Sequence, residues 1–224
     1  MCRMKRDFDA VIFDMDGTLL DTLKDIADSM NMALKRISQP ERDFEYMRYS
    51  VGYGVDELAR RAMPEGSSDA DVMKCLGIMR EIYTEYYKDT SRPYDGIPEL
   101  LDQLTKLKIP YAILSNKPED FTIKMTKELL GGWKFDYVRG VRKDCPKKPD
   151  PTAALEIAAG WRILPGRIAF LGDSAVDMQT ANAAGMFAVG VLWGFRPRQE
   201  IEEAGAMALI SHPLELIALC NIVS

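Results

Sequence analysis

A short apolar run, Phe8 to Phe13, stops at Asp14-Met15-Asp16-Gly17-Thr18, and few folds accommodate that junction. The run has the length of a buried strand, and Gly17-Thr18 signals a turn directly after it. In an extended chain alternate side chains share a face, so Asp14 and Asp16 point one way and Met15 the other. Their Cα atoms then lie roughly 6–7 Å apart. Two carboxylates on one side of a strand end are costly without a cation or a shared proton. Such a pair suits two tasks, one group acting as nucleophile and metal ligand and the other as proton donor. Alone, the same Asp-x-Asp also fits a solvated acidic turn.

The pattern then changes period. Leu23, Ile26, Ala27, Met30, Ala33, Leu34 and Ile37 recur at three- and four-residue spacing, which predicts an amphipathic helix. Thr22 and Asp25 form a candidate capping box at its start, and Gln39-Pro40 ends it. Residues 41–91 stay helical: Phe44 and Met47, then Val55, Leu58, Ala59 and Ala62, then Val72, Cys75, Leu76, Met79, Ile82, Tyr83 and Tyr86. No strand-like run falls between Leu20 and Ser91. Gly52-Tyr53-Gly54 separates two of these helices. Its glycines allow a tight turn whose backbone N–H groups can meet an anion, although an ordinary helix–helix turn fits equally well.

From Pro93 onward strands and helices alternate. A helix opening at Pro98 is followed by the strand Tyr111–Leu114, ending at Ser115-Asn116, and a helix stopped by Gly131-Gly132. Then come a strand at Asp136–Val138, a helix near 152–160, the strand Ile168–Leu171, an Ala-rich helix, the strand Phe187–Leu192, a helix near 198–204, the apolar Ala208–Ile210 and a helix near 213–221. This alternation predicts an α/β fold: a Rossmann-like parallel sheet with helices on both faces and an inserted helical unit. Residues 1–20 and 92–224 make up the core, and 21–91 the insert. Ligands of such sheets bind at the carboxyl ends of the strands.

With 47% hydrophobic residues among 224, the chain can bury a sizeable core, and its net charge of −5 argues against nucleic-acid partners. The cysteines Cys2, Cys75, Cys145 and Cys220 are scattered, which disfavours a zinc site and suits a reduced, cytoplasmic setting. The start of the chain lacks a signal-peptide pattern, and no apolar stretch is long enough to span a membrane. The thirteen methionines read as core packing.

Three predicted strands end in polar residues at one sheet edge: Asp14 and Asp16, Ser115 and Asn116, and Asp173. Asp14, Asp173 and Asp177, one helical turn on, can supply the oxygens that a hard cation such as Mg²⁺ needs beside a phosphate. The Ser115 hydroxyl, the Asn116 backbone N–H and the Lys148 ammonium suit the other side of a phosphoryl group.

In their order these segments resemble the motifs of the haloacid dehalogenase (HAD) superfamily. Asp14-Met15-Asp16-Gly17-Thr18 resembles the first, Ser115-Asn116 the second, Lys148-Pro149-Asp150-Pro151 the third and Gly172-Asp173-Ser174-Ala175-Val176-Asp177 the fourth. The resemblance implies that Asp14 attacks phosphorus to give an aspartyl phosphate, and that Asp16 protonates the leaving oxygen and later activates water. It implies Mg²⁺ held by Asp14, the Asp16 backbone carbonyl and Asp173, with Asp177 nearby, and a phosphoryl group steadied by Lys148 and Ser115. Gly17, Thr18, Gly52, Tyr53 and Gly54 are carried along as substrate-binding candidates.

Asp16 sets the chain apart from the superfamily's halide-removing and phosphonate-cleaving branches. The insert resembles the C1 cap, a lid over the site. Sugar-phosphate mutases share that cap but carry a Lys and an Arg where this chain has Val51 and Val55. Gly52-Tyr53-Gly54-Val55-Asp56, Ser115-Asn116-Lys117-Pro118, Asp177-Met178-Gln179 and Val191-Leu192-Trp193-Gly194-Phe195 resemble the branch that hydrolyses 2-phosphoglycolate, with departures at Asp95 and Ala175-Val176. The expectation is a Mg²⁺-dependent phosphatase of a small phosphorylated metabolite, working as a monomer or homodimer. Mutase, pyrophosphatase and nucleotidase are the alternatives within the family. A receiver domain or a phosphate-binding regulatory module is the alternative outside enzymes, but a receiver would be shorter and lack Asp16.

Other conspicuous residues take plainer readings. His212, the only histidine, reads as a capping or surface residue, and Trp133 and Trp161 as packing. Trp193 is a weaker candidate for the site's rim. Arg139, Arg142, Lys143 and Lys147 read as solvated charges that raise the potential beside Lys148.

Overall fold

The computed structural model describes residues 8–219. β1 (Ala10–Phe13) and β2 (Leu20–Asp21) are followed by four helices, α1 (Leu23–Arg36), α2 (Phe44–Ser50), α3 (Val55–Ala62) and α4 (Asp69–Tyr86). β3 (Arg92–Pro93) and α5 (Ile97–Lys106) lead to β4 (Tyr111–Pro118), α6 (Glu119–Leu129), β5 (Tyr137–Val141) and α7 (Thr152–Trp161). The chain closes with β6 (Ile168–Gly172), α8 (Ala175–Ala183), β7 (Phe187–Val191), α9 (Arg198–Glu203), β8 (Ala208–Ile210) and α10 (Glu215–Leu219).

Six strands form one parallel sheet in the order β5-β4-β1-β6-β7-β8. β1 lies between β4 and β6, with Val11 opposite both Tyr111 and Ala169. All four β1 residues are buried, because helices cover both faces of a parallel sheet and leave no polar side to the strand. The two faces separate by alternation. Ala10 and Ile12 join a cluster with Phe170, Met178 and Ala154. Val11 and Phe13 join another with Leu101, Met125 and Leu171, which continues into the insert through Met30, Leu34, Met47, Leu58 and Met79.

The structure departs from the sequence reading in several places. β2 and β3 pair antiparallel, Leu20 with Pro93 and Asp21 with Arg92, so the two chain segments flanking the insert lie side by side. Two-residue strands carry no periodic signal in a sequence. The Thr22/Asp25 capping box does not form. Thr22 caps α1 without a side-chain bond and donates instead to Asp16 Oδ1 at 2.7 Å. Asp25 turns to the far side of the joint, where it accepts from the backbone N–H and hydroxyl of Thr90 and of Ser91 at 2.6–3.1 Å. β4 runs beyond Leu114 to Pro118 with a register shift against β5. Phe44 and Tyr86 are exposed rather than on a buried face.

Eight methionines pack in the core, but Met32, Met73 and Met207 are exposed. Cys75 and Cys145 are free thiols, whereas Cys2, Cys220 and the last residues expected of the final helix lie outside the described residues. Among those residues no helix is long and apolar enough to cross a membrane.

Candidate active site at the sheet edge

The turn after β1 positions the first carboxylates. The Asp14 N–H donates to the Leu171 carbonyl of β6 at 2.9 Å. The Met15 carbonyl then accepts from Thr18, Leu19 and Leu20 at 2.9–3.3 Å, folding the chain back on itself. Gly17 has φ +85°, and a Cβ there would collide with the Asp173 carboxylate. Gly194 is packed in the same way against Asp173 and the Gly17 carbonyl. The backbone therefore closes tightly around Asp173.

Carboxylate oxygens of Asp14, Asp173 and Asp177 lie within 4.8 Å of one another, and all three residues are buried. Lys148 Nζ bonds Asp14 Oδ1 and Asp177 Oδ1, both at 2.7 Å. Asp177 Oδ2 accepts from the N–H of Ser174 at 3.1 Å and its hydroxyl at 2.6 Å. Asp173 Oδ2 accepts from the Phe195 N–H at 2.6 Å. Three buried carboxylates thus surround one ammonium. Burial, reinforced by the charges of Asp177 and Asp16 and opposed by Lys148, pushes the Asp14 carboxyl up to about 7. Burial and the same crowding of like charge raise Asp173 well above the usual carboxylate range. Burial works against the Lys148 ammonium, but Asp14 and Asp177 outweigh it and hold its pKa above that of a free lysine.

This surplus of negative charge is the observation that fits a divalent cation. Hard oxygen donors are what Mg²⁺ takes. Within this cluster both Asp177 oxygens accept hydrogen bonds, from Lys148 and Ser174, whereas Asp14 Oδ2 and Asp173 Oδ1 accept none among the described residues and are the oxygens most open to a metal. The Asp16 carboxylate lies outside this cluster and is held by Thr22 and by Lys117, whose Nζ meets its two oxygens at 3.0 and 3.1 Å.

In front of Asp14 and Asp16 a cavity of about 50 Å³ separates the sheet edge from the insert. Ser115, Asn116 and Lys117 line the sheet side, and Val51, Gly52, Gly54, Val55, Leu58 and Met79 the insert side. The Asn116 amide ties both sides together. It pairs with the Lys148 backbone, accepting at 2.9 Å and donating at 3.0 Å, and also donates to the Gly52 carbonyl at 3.1 Å. Lys147 Nζ donates to the Tyr53 carbonyl at 2.7 Å, so this lysine is not simply solvated. Arg142, likewise, pairs with Glu119 and Glu156.

Of the candidates drawn from sequence, Asp14, Asp16, Ser115, Asn116, Gly52 and Gly54 border the cavity, Lys148 is paired with Asp14, and Asp173 and Asp177 cluster with it. Gly17 serves as backbone clearance for Asp173. Thr18 is wholly buried away from the cavity, its hydroxyl without a partner among the described residues. Tyr53 is turned aside, its ring under the Arg61 guanidinium. Trp193 does not rim the cavity: its indole N–H donates to the Thr18 carbonyl at 3.0 Å and braces the turn. His212 Nδ1 accepts from the Leu214 N–H at 3.3 Å, as a capping residue would.

Three contributors escaped the sequence reading. Lys117 stands two residues after Ser115, hence on the same strand face, and that spacing was the available signal. Thr22 was assigned to a cap instead. Arg196 has no local signal at all. Its buried guanidinium donates to the carbonyls of Arg48, Tyr49 (3.1 Å) and Val51 (2.6 Å), and Arg48 returns a bond to the Phe195 carbonyl at 2.7 Å.

Comparison with known proteins places this geometry. Residues 11–191 match the family model described as haloacid dehalogenase-like hydrolase. A phosphoglycolate phosphatase of Pseudomonas putida is 32% identical over 215 residues, covering 94% of this chain and 79% of that protein. One from Nitrosospira multiformis is 31% identical, covering 90% of each. A solved structure from Lactobacillus delbrueckii subsp. bulgaricus, whose description as a phosphoglycolate phosphatase is itself provisional, superposes with a TM-score of 0.89 at 26% identity over 96% of this chain and all of that one. A haloacid dehalogenase-like family hydrolase of Streptococcus pneumoniae shares the fold, with a TM-score of 0.85 at 21% identity over 94% of this chain and 97% of that one. The chain belongs to the haloacid dehalogenase-like hydrolases, and within them it is similar to the phosphoglycolate phosphatases.

Proposed function

We propose that the chain is a Mg²⁺-dependent phosphatase of small phosphomonoesters, with 2-phosphoglycolate the favoured substrate. The observation that carries this reading is the buried Asp14–Lys148 pair at 2.7 Å, set in an acidic cluster whose Asp14 also borders the cavity. Asp14 is the nucleophile, placed by β1 at the cavity's edge. Lys148 and Ser115 donate to the phosphoryl oxygens as charge shifts onto them. Asp16, held by Thr22 and Lys117, gives a proton to the leaving oxygen and takes one from the water that cleaves the aspartyl phosphate. Asp14, Asp173 and the Asp16 backbone carbonyl are the groups for Mg²⁺, which supplies neutralising charge to the phosphoryl oxygens. Asp177 holds Lys148 in place and adds negative charge beside the groups that would hold the metal.

The unit formed by residues 21–91 acts as a lid over the core. Its Val51 and Val55 both line the cavity, where a mutase needs a second phosphate clamp, so hydrolysis is favoured over mutase activity. The names of the relatives support 2-phosphoglycolate as substrate. The test is phosphate release from a panel containing 2-phosphoglycolate, pyrophosphate, a nucleoside monophosphate and a sugar phosphate, with Mg²⁺ and with chelator. Metal-dependent release favouring 2-phosphoglycolate is the expected result; no release from any member overturns the reading.

A further inference from the structure

Lys117 is a buried cation to which the chemistry above gives only the support of Asp16. Its side chain is 4% exposed and its ammonium meets Asp16, the acid closest to a leaving group. A buried ammonium is costly without an anion, and Asp16 supplies one. The ammonium meets the two Asp16 oxygens at 3.0 and 3.1 Å and the Tyr83 side chain beside them, and it borders the cavity, where a further anion could share it.

The rest of the cavity sharpens the point. With phosphate at Asp14, Ser115 and Lys148, the remaining atoms of an ester project past Asp16 toward the insert. There they meet Val51, Val55, Leu58, Met79 and Phe121, which offer no polar side-chain atom. Arg80 also borders the cavity, but it is 44% exposed and tied to Asp120 at 2.9 Å. Lys117 is therefore the buried positive charge available to the non-phosphate end of a substrate. The volume of about 50 Å³ suits a small ester end.

We infer that Lys117 reads a second anionic group on the substrate, a carboxylate carried one carbon from the ester oxygen, and thereby selects small doubly anionic phosphoesters. The inference rests on the phosphatase reading above. A carboxylate at that end shares the Lys117 ammonium with Asp16. A neutral end gains nothing there, and a cationic end is repelled. Lys117 on this account is a specificity residue as well as a support for Asp16, and the two roles differ in what their loss does. Loss of support for Asp16 slows every ester alike, whereas loss of a carboxylate contact slows only esters that carry one.

The experiment compares kcat/KM, with Mg²⁺, for 2-phosphoglycolate, ethyl phosphate and 2-aminoethyl phosphate in the native protein and in Lys117→Met. The native protein is expected to favour the carboxylate ester over ethyl phosphate by roughly ten- to a hundredfold, the scale of one charged hydrogen bond, with the amine slowest. In Lys117→Met that ratio falls to near one, while ethyl phosphate loses only what support of Asp16 accounts for. A ratio unchanged in the variant overturns the inference and leaves Lys117 a positioning residue. Should the variant not fold, the native series still decides: ethyl phosphate and 2-phosphoglycolate turned over alike remove the carboxylate role while keeping the phosphatase. Release from none of the three esters overturns the phosphatase reading itself.

Discussion

The two walls of the cavity are built in opposite ways. The sheet wall presents side chains: Asp14, Asp16, Ser115 and Lys117 stand on strand ends and are locked by ion pairs and hydrogen bonds within the core. The insert wall presents mainly apolar side chains and bare backbone, and its carbonyls at Arg48, Tyr49, Val51, Gly52 and Tyr53 are held by the core side chains Arg196, Asn116 and Lys147. Groups that must meet a reacting atom are thus placed on the rigid sheet. The insert wall is attached to the core there through its backbone carbonyls.

This contrast can be broken from its strong side first. Asp14→Asn should abolish turnover, by roughly four orders of magnitude or more in kcat, with the fold retained in circular dichroism. Near-native phosphate release from that variant would sink the nucleophile assignment and the contrast with it. Lys148→Met should cost about 3–4 kcal/mol of transition-state stabilisation, read in kcat/KM, because a preorganised charge is lost beside Asp14.

The insert wall should respond more mildly and differently. Arg196→Met removes three donations to α2 and its following residues and should destabilise the protein by about 2–3 kcal/mol in denaturant unfolding. In kinetics KM should rise more than kcat falls; a kcat loss as large as that of Lys148→Met would erase the distinction between the walls. The smallest effect belongs to the joint. Burial works against the Asp25 carboxylate, but hydrogen bonds from Thr90 and Ser91 outweigh it and hold its pKa below the usual range. Its stabilisation is present above the unfolded value near 4 and is lost as pH falls through the lower folded value. Asp25→Asn should therefore cost about 1–2 kcal/mol at neutral pH, and the gap to the native protein should close in thermal melts below about pH 4.

What could be read from the chain beforehand divides along the same line. The parallel sheet was legible because strands buried on both faces are short apolar runs, as β1, β6 and β7 are. Asp14 and Asp173 were legible because each ends such a run at a turn, and Lys148 because its motif falls in sequence between them. Thr22 was misread because a hydroxyl before a helix ordinarily caps it; only the fold shows Asp16 closer to hand. Lys117 was overlooked although the two-residue period from Ser115 pointed to it. Arg196 could not have been found, since it recognises carbonyls more than 140 residues away, and a carbonyl is the same in every residue. The β2–β3 pairing was hidden for a related reason, being too short to have a period.

The segment from Trp193 to Arg196 carries a consequence for how such a protein tolerates change. Phe195 reaches Asp173 with its N–H and Arg48 with its carbonyl, and Gly194 matters for the side chain it lacks. Replacing the Phe195 ring leaves both of those bonds chemically available. Inserting or deleting a single residue moves the N–H from Asp173 and the guanidinium from the insert in one stroke. Substitution is buffered at Phe195, whose bonds are made by its backbone, and a shift in length is not, so variants with altered loop length between β7 and α9 should be rare survivors of a random library selected for activity.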